Sequence, residues 1–153
     1  MSNHTQDFAA RFTVMGDIAE TQFETWADGQ DLKWDRFGHN RPNSSMTRWN
    51  AFLRYMPDYI GSKCFWEVKG CGRDGLLKLK QENLVALRQW SDHLPVHMFV
   101  YNSSEDDMVC FPFDAECVAW IGNNCKSDKF HDNDKVYWMI PWQDMVEQTW
   151  NPF

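Results

Sequence analysis

The stretch PDYIGSKCFWEVKG, running from Pro57 to Gly70, decides how this chain is read. Tyr59, Ile60, Phe65, Trp66 and Val68 ask for burial, yet Asp58, Glu67 and Lys69 interrupt them. Charged side chains are seldom buried without a partner. The alternation and the Gly61-Ser62 pair predict a hairpin, with strands over about 50–60 and 63–70 and a tight II′ turn between them. In that register Ile60 faces Lys63 and Asp58 faces Phe65. Residues two apart on a strand share a face, so Asp58, Glu67 and Lys69 project from one side, while Cys64, Trp66 and Val68 pack from the other. Pro57 cannot donate to a ladder, which places it at an edge or a bulge.

Two carboxylates held about 7 Å apart repel unless a cation joins them. A hard divalent ion such as Mg²⁺ takes oxygen ligands at that reach and keeps several waters. Lys69, one step further along the same face, is positioned to orient a water and to steady negative charge. The plainer reading of Glu67-Val68-Lys69 is a half-exposed strand whose charges meet solvent.

Pro57-Asp58 followed after eight residues by Glu67-Val68-Lys69, and then by a segment bearing Lys80 and Gln81, resembles the PD-(D/E)XK nuclease superfamily. Small phage junction-resolving endonucleases and archaeal Holliday junction resolvases look nearest in size and layout. The resemblance covers about residues 17–101 and leaves 102–153 unassigned within what is expected to be one domain. It implies Mg²⁺-dependent hydrolysis of DNA phosphodiester bonds, with Mn²⁺ as a substitute metal. Asp58, Glu67 and the backbone carbonyl of Val68 would hold the ion, with Glu20 as a further ligand from the first helix and Lys69 beside the attacking water. Lys80 is preferred to Gln81 as the additional catalytic residue, because it falls in the leucine stripe of a helix expected over 75–93. Branched or junction DNA and a homodimer are the substrate and assembly that the likeness suggests. The alternative is a non-catalytic module for nucleic acid or protein that retains the fold.

The bulk numbers are compatible with that picture. The 153 residues suffice for one core, with 43% hydrophobic and 24% charged residues. A net charge of −7 argues against a polyanionic partner until its distribution is considered. Residues 33–90 carry 11 Lys and Arg against 5 Asp and Glu, and the remainder 4 against 17. A basic middle can face phosphate while the molecule stays acidic. Arg36, His39, Arg41, Arg48, Arg54, Lys63, Arg73 and Lys78 are its candidates for backbone contacts.

No apolar run approaches a membrane span and no signal peptide follows Met1, so a cytoplasmic protein is expected, in the host cell if the source is viral. Five cysteines without a C-x-x-C pair suit reduced thiols, and a zinc site from Cys110, Cys117, Cys125 and His131 matches no common spacing. His93 and His97 flank Pro95, where packing or capping is expected. Elsewhere the pattern predicts a helix over 18–28 capped by Asp17, strands at 33–37, 96–101, 108–113 and 137–140, and a short helix after Pro141. Helix, strands, helix, strands reads as α/β or α+β with a central mixed sheet and a restriction-endonuclease-like core.

Overall fold

The computed structural model describes residues 3–38 and 48–147, with side chains from residue 14 onward. A long helix α1 (Asn3–Gly29) leads into strand β1 (Trp34–Arg36), a one-turn helix α2 (Ala51–Arg54) and strand β2 (Tyr59–Gly61). Strand β3 (Phe65–Cys71) follows, then β4 (Leu76–Lys80), helix α3 (Gln81–Trp90) and strand β5 (Val96–Asn102). The chain ends in β6 (Asp107–Pro112), α4 (Ala115–Asn124), β7 (Lys126–Lys129), β8 (Val136–Pro141) and α5 (Trp142–Glu147). The class is the mixed α/β arrangement expected. A five-stranded sheet runs β1-β2-β3-β5-β6, parallel only between β3 and β5, and a three-stranded sheet runs β4-β8-β7. No described helix is long and apolar enough to cross a membrane.

Strand β3 is central, and both of its faces are covered. Trp66 and Val68 join Ala19, Phe23 and Ala27 of α1, with Tyr59, Phe99 and Tyr101, in one core. Phe23 anchors it, with ring centroids 4.6 Å from Tyr59 and 5.4 Å from an edge-on Phe99. Phe65 and Cys71 enter the second core on the opposite face, beneath Leu77, Leu79, Leu84, Leu87, Phe113 and Ile140. Side chains alternate along a strand, so Glu67 and Lys69 belong to this second face.

Three local expectations are corrected. The strand placed over 50–60 is α2 plus the three-residue β2; Asn50 caps α2, its side chain accepting from Leu53 N at 3.1 Å. The helix placed over 75–93 is strand β4 followed by α3, and β4 buries Leu77 and Leu79 in alternation. Asp17 lies inside α1 rather than at a helix start, with its carbonyl accepting from Thr21 Oγ1 at 2.9 Å. Strands β1, β5, β6 and β8 and helix α5 lie where the sequence pattern put them.

Candidate active site

The hairpin forms, and its register differs from the expected one by two residues. Tyr59 pairs with Trp66 and Ile60 with Phe65, and Gly61 N donates to Cys64 O at 2.7 Å. The turn is therefore Ser62-Lys63. A slip of two preserves which face each side chain uses. Continued one step, this register sets Asp58 opposite Glu67 and Pro57 opposite Val68. Proline has no N–H to offer, and the ladder stops at Tyr59. The Asp58 side chain takes over the vacant position: its Oδ2 accepts from Val68 N at 2.8 Å. In an extended strand one residue's N–H and C=O point to the same side, so the Val68 carbonyl faces this same interruption.

Gly38 holds the interruption in place. Phe37 N and Gly38 N donate to Asp58 O at 3.0 and 3.3 Å. A Cβ on Gly38 would come within 2.5 Å of Pro57 O and 2.9 Å of Met56 O, so only glycine allows this approach.

Glu67 is 3% exposed. Its Oε1 lies 2.6 Å from Lys69 Nζ, whereas Oε2 is buried and has no hydrogen-bond partner. An orphaned carboxylate oxygen is expensive in an interior. Burial and the Glu67 charge push Asp58 up to about 8, only partly offset by Lys69 and the bond from Val68. Burial alone would lower the Lys69 ammonium, but Glu67 and then Asp58 reverse this and leave it raised. The group therefore holds an aspartate that resists being charged beside Glu67 and one firmly protonated lysine.

The other expected residues fall into distinct surroundings. Glu20 and Glu24 both pair with Arg36, at 3.1 and 3.3 Å, and Tyr59 OH donates to Glu24 at 2.9 Å. Glu20 contributes the smallest of the upward pushes on Asp58. Lys80 ends β4 and stands at the N-cap of α3, so no leucine stripe carries it. Gln81 begins α3 and accepts from Trp138 Nε1. Among the basic candidates, Arg54 reaches Glu82 at 3.5 Å and Lys78 reaches Asp74 at 3.4 Å. Arg48, Lys63 and Arg73 are exposed, and His39 and Arg41 lie outside the described residues. His97 packs its ring against Trp66 and His93 against Trp90, as expected of packing residues. Among the described residues no three His, Cys, Asp or Glu side chains are arranged to hold a metal ion, the cysteine set included. Asp58 and Glu67 thus form a pair, with the Val68 carbonyl as the available third oxygen.

Glu82, Tyr55 and Lys135 were missed from the sequence. Tyr55 OH donates to Glu82 Oε2 at 3.3 Å, and Lys135 Nζ lies 3.4 Å from the same carboxylate. No motif marks them, because a fold contact across 53 residues creates the second pairing.

No family model and no curated protein matches this chain. Among solved structures it is similar to a nuclease from a fusselovirus, at a TM-score of 0.47 and 11% identity, over 94% of this chain and 86% of that one. A likeness of that size carries no argument about activity.

Proposed function

We propose that this protein is a metal-dependent endonuclease of the PD-(D/E)XK type that hydrolyses DNA. The observation carrying the reading is that Asp58, anchored by Val68 N, feels the charge of Glu67, whose Oε2 is buried and unpartnered while Oε1 meets Lys69. Asp58 is harder to charge beside Glu67, and two such oxygen donors fit a hard divalent cation such as Mg²⁺. Asp58, Glu67 and the Val68 carbonyl would hold it, with Mn²⁺ as a substitute and Glu20 as a further ligand if it leaves Arg36. Bound there, the ion supplies positive charge against a phosphoryl oxygen and makes water a stronger acid.

The chain's own groups do the rest. Lys69, fixed by Glu67, presents its ammonium to charge developing on the phosphoryl group and orients water toward phosphorus. Water adds to phosphorus and gives up a proton to solvent, the bond to the 3′ oxygen breaks, and that oxygen takes up a proton from solvent. Val68 N holds Asp58 in position through the bond to Oδ2, so the aspartate keeps its aim whether or not it is charged. Lys80 is the preferred further cation, and Gln81, engaged with Trp138, is the weaker candidate. Branched DNA and a homodimer remain the first choices of substrate and assembly, on resemblance of size and layout.

The test is cleavage of a labelled four-way junction and of a matched duplex, with Mg²⁺ or EDTA, by the wild type and by Glu67→Ala and Lys69→Ala. Metal-dependent cutting lost in both variants supports the enzyme, and the ratio of junction to duplex rates measures the substrate preference. Binding without cutting, unaltered by either substitution, supports the non-catalytic module instead.

A further inference from the structure

The C-terminal third, which no motif singled out, returns to the proposed site. Strand β8 pairs with β4 from Leu76↔Pro141 to Lys80↔Tyr137. Lys135, immediately before β8, is thereby delivered to the junction of β4 and α3, where its Nζ lies 3.4 Å from the Glu82 carboxylate. A second segment arrives there independently. Phe52 of α2 stacks on Trp90 at 4.2 Å with 7° between the rings, and Trp90 Nε1 donates to Phe52 O at 2.8 Å. That docking brings Arg54 to 3.5 Å and the Tyr55 hydroxyl to 3.3 Å from the same carboxylate.

Cations outnumber anions in this cluster. Arg54 and Lys135 pair with Glu82, and Lys80, at the N-cap of the helix that carries Glu82, has no carboxylate within ion-pair reach among the described residues. Partial desolvation lowers the Lys80 ammonium most, although the residue is exposed, and the like charges of Lys135 and Lys69 add to it. Arg54 Nε is buried without an acceptor, although its guanidinium meets Glu82 through the other end. Tyr55 feels both Glu82 and Lys69, so the cluster adjoins the Asp58–Glu67–Lys69 group. Glu82 is 36% exposed, which leaves a route from solvent.

A closed structural network would match its charges and satisfy its donors. This one has a surplus of donors around a single reachable carboxylate, the composition of an anion site holding a resident counter-charge. We propose that Arg54, Tyr55, Lys80 and Lys135 bind a backbone phosphate next to the cleaved bond, and that Glu82 occupies the place of that phosphate until nucleic acid displaces it. The inference rests on the nuclease reading for the identity of its ligand. It assigns the C-terminal segment a role in seating substrate, through a residue outside the basic middle of the sequence.

The experiment is fluorescence anisotropy with a labelled 30-base-pair duplex in EDTA, titrated across salt concentrations. Lys135→Gln weakens binding about 5- to 10-fold near 0.1 M salt and flattens the log–log salt slope by about 1, as loss of one phosphate contact requires. Lys135→Arg restores both. Glu82→Gln tightens binding by a similar factor, since the resident anion is gone. Lys126→Gln, an equal charge change on the exposed strand β7, leaves the slope as it was. The proposal is overturned if Lys126→Gln and Lys135→Gln act alike, or if Glu82→Gln weakens binding or leaves it unchanged. Cleavage by the wild type with Mg²⁺ separates the two readings. Cutting with an indifferent Lys135 sinks only the phosphate site, and responsive binding without any cutting sinks only the nuclease.

Discussion

The two faces of β3 use the same seven residues for opposite purposes. Toward α1, Trp66 and Val68 meet Phe23, Tyr59 and Phe99 in an aromatic core. Toward α3, Phe65 and Cys71 bracket Glu67 and Lys69, one of them almost fully buried, with a carboxylate oxygen left unsatisfied. Edge-on and tilted ring pairs contribute roughly 0.5–1.5 kcal/mol each beyond burial, so the first face gains stability from every contact. The second face carries groups that cost stability where they stand. Packing of α1 and its aromatic core against β3 offsets the cost of the acidic groups on the opposite face.

Substitutions on the two faces should therefore separate activity from stability. Glu67→Gln, which keeps the bond to Lys69 but removes the charge facing Asp58, is expected to lower metal-dependent cleavage by about 10³-fold, or about 4 kcal/mol. Its melting temperature in EDTA should hold or rise, because the charge that repels Asp58 is gone while the bond to Lys69 is kept. Phe23→Ala on the other face is expected to cost about 3–5 kcal/mol in denaturant unfolding. The cleavage rate per folded molecule should stay near that of the wild type. A Glu67→Gln protein that melts far below the wild type would show that the carboxylate supports the fold, and the contrast between faces would fail.

How much of this was legible depends on the range of the interaction. Pro57, Asp58, Glu67 and Lys69 were readable because a hairpin is local and a two-residue slip leaves the faces unchanged. The slip itself arose because Gly61-Ser62 has the composition of a tight turn, while the chain turns one residue later. Strand β4 was hidden by strong helix formers in Leu76–Lys80, although the alternation of Leu77 and Leu79 and the Asp74-Gly75 turn were both present. Gly75, at φ +73°, takes the left-handed conformation such a turn needs. Strand β7 is exposed at all four residues and offers no hydrophobic signal. The cap of α4 was visible in principle, since Asp114 accepts from Cys117 N at 2.9 Å. Lys135 could not be found by any local rule, because only the pairing of β8 with β4 brings it to Glu82.

The boundary between the two faces can itself be broken at Gly38. An alanine there places Cβ against backbone oxygens of Met56 and Pro57, atoms that cannot swing aside as a side-chain tip can. The expected loss is about 1–3 kcal/mol in stability. Asp58 should also be displaced, weakening apparent Mg²⁺ affinity by an order of magnitude in isothermal calorimetry. Gly70→Ala makes the useful contrast. Its Cβ would run into the Met15 side chain on the α1 face, so stability falls while metal affinity stays put.

A further contrast between the faces rests on proton linkage alone. Asp58 stands near 3.8 when unfolded and about 8 in the folded, metal-free protein, through burial and the Glu67 charge. A carboxyl raised on folding binds its proton more tightly in the native state, so its contribution is fully present below about pH 4 and is lost as pH rises toward about 8. In EDTA, melting temperature should therefore fall across that window, and Asp58→Asn should flatten the curve. Any cation held by Asp58 must displace the same proton. Apparent Mg²⁺ affinity should rise with pH up to about 8, by at most about tenfold per unit, and level off beyond it. Calorimetry in two buffers of different ionisation enthalpy measures the proton released. Substitutions in the aromatic core of the α1 face should leave this proton release unchanged, and a pH-independent affinity with no proton release would mean that the acidic pair is not where the metal binds.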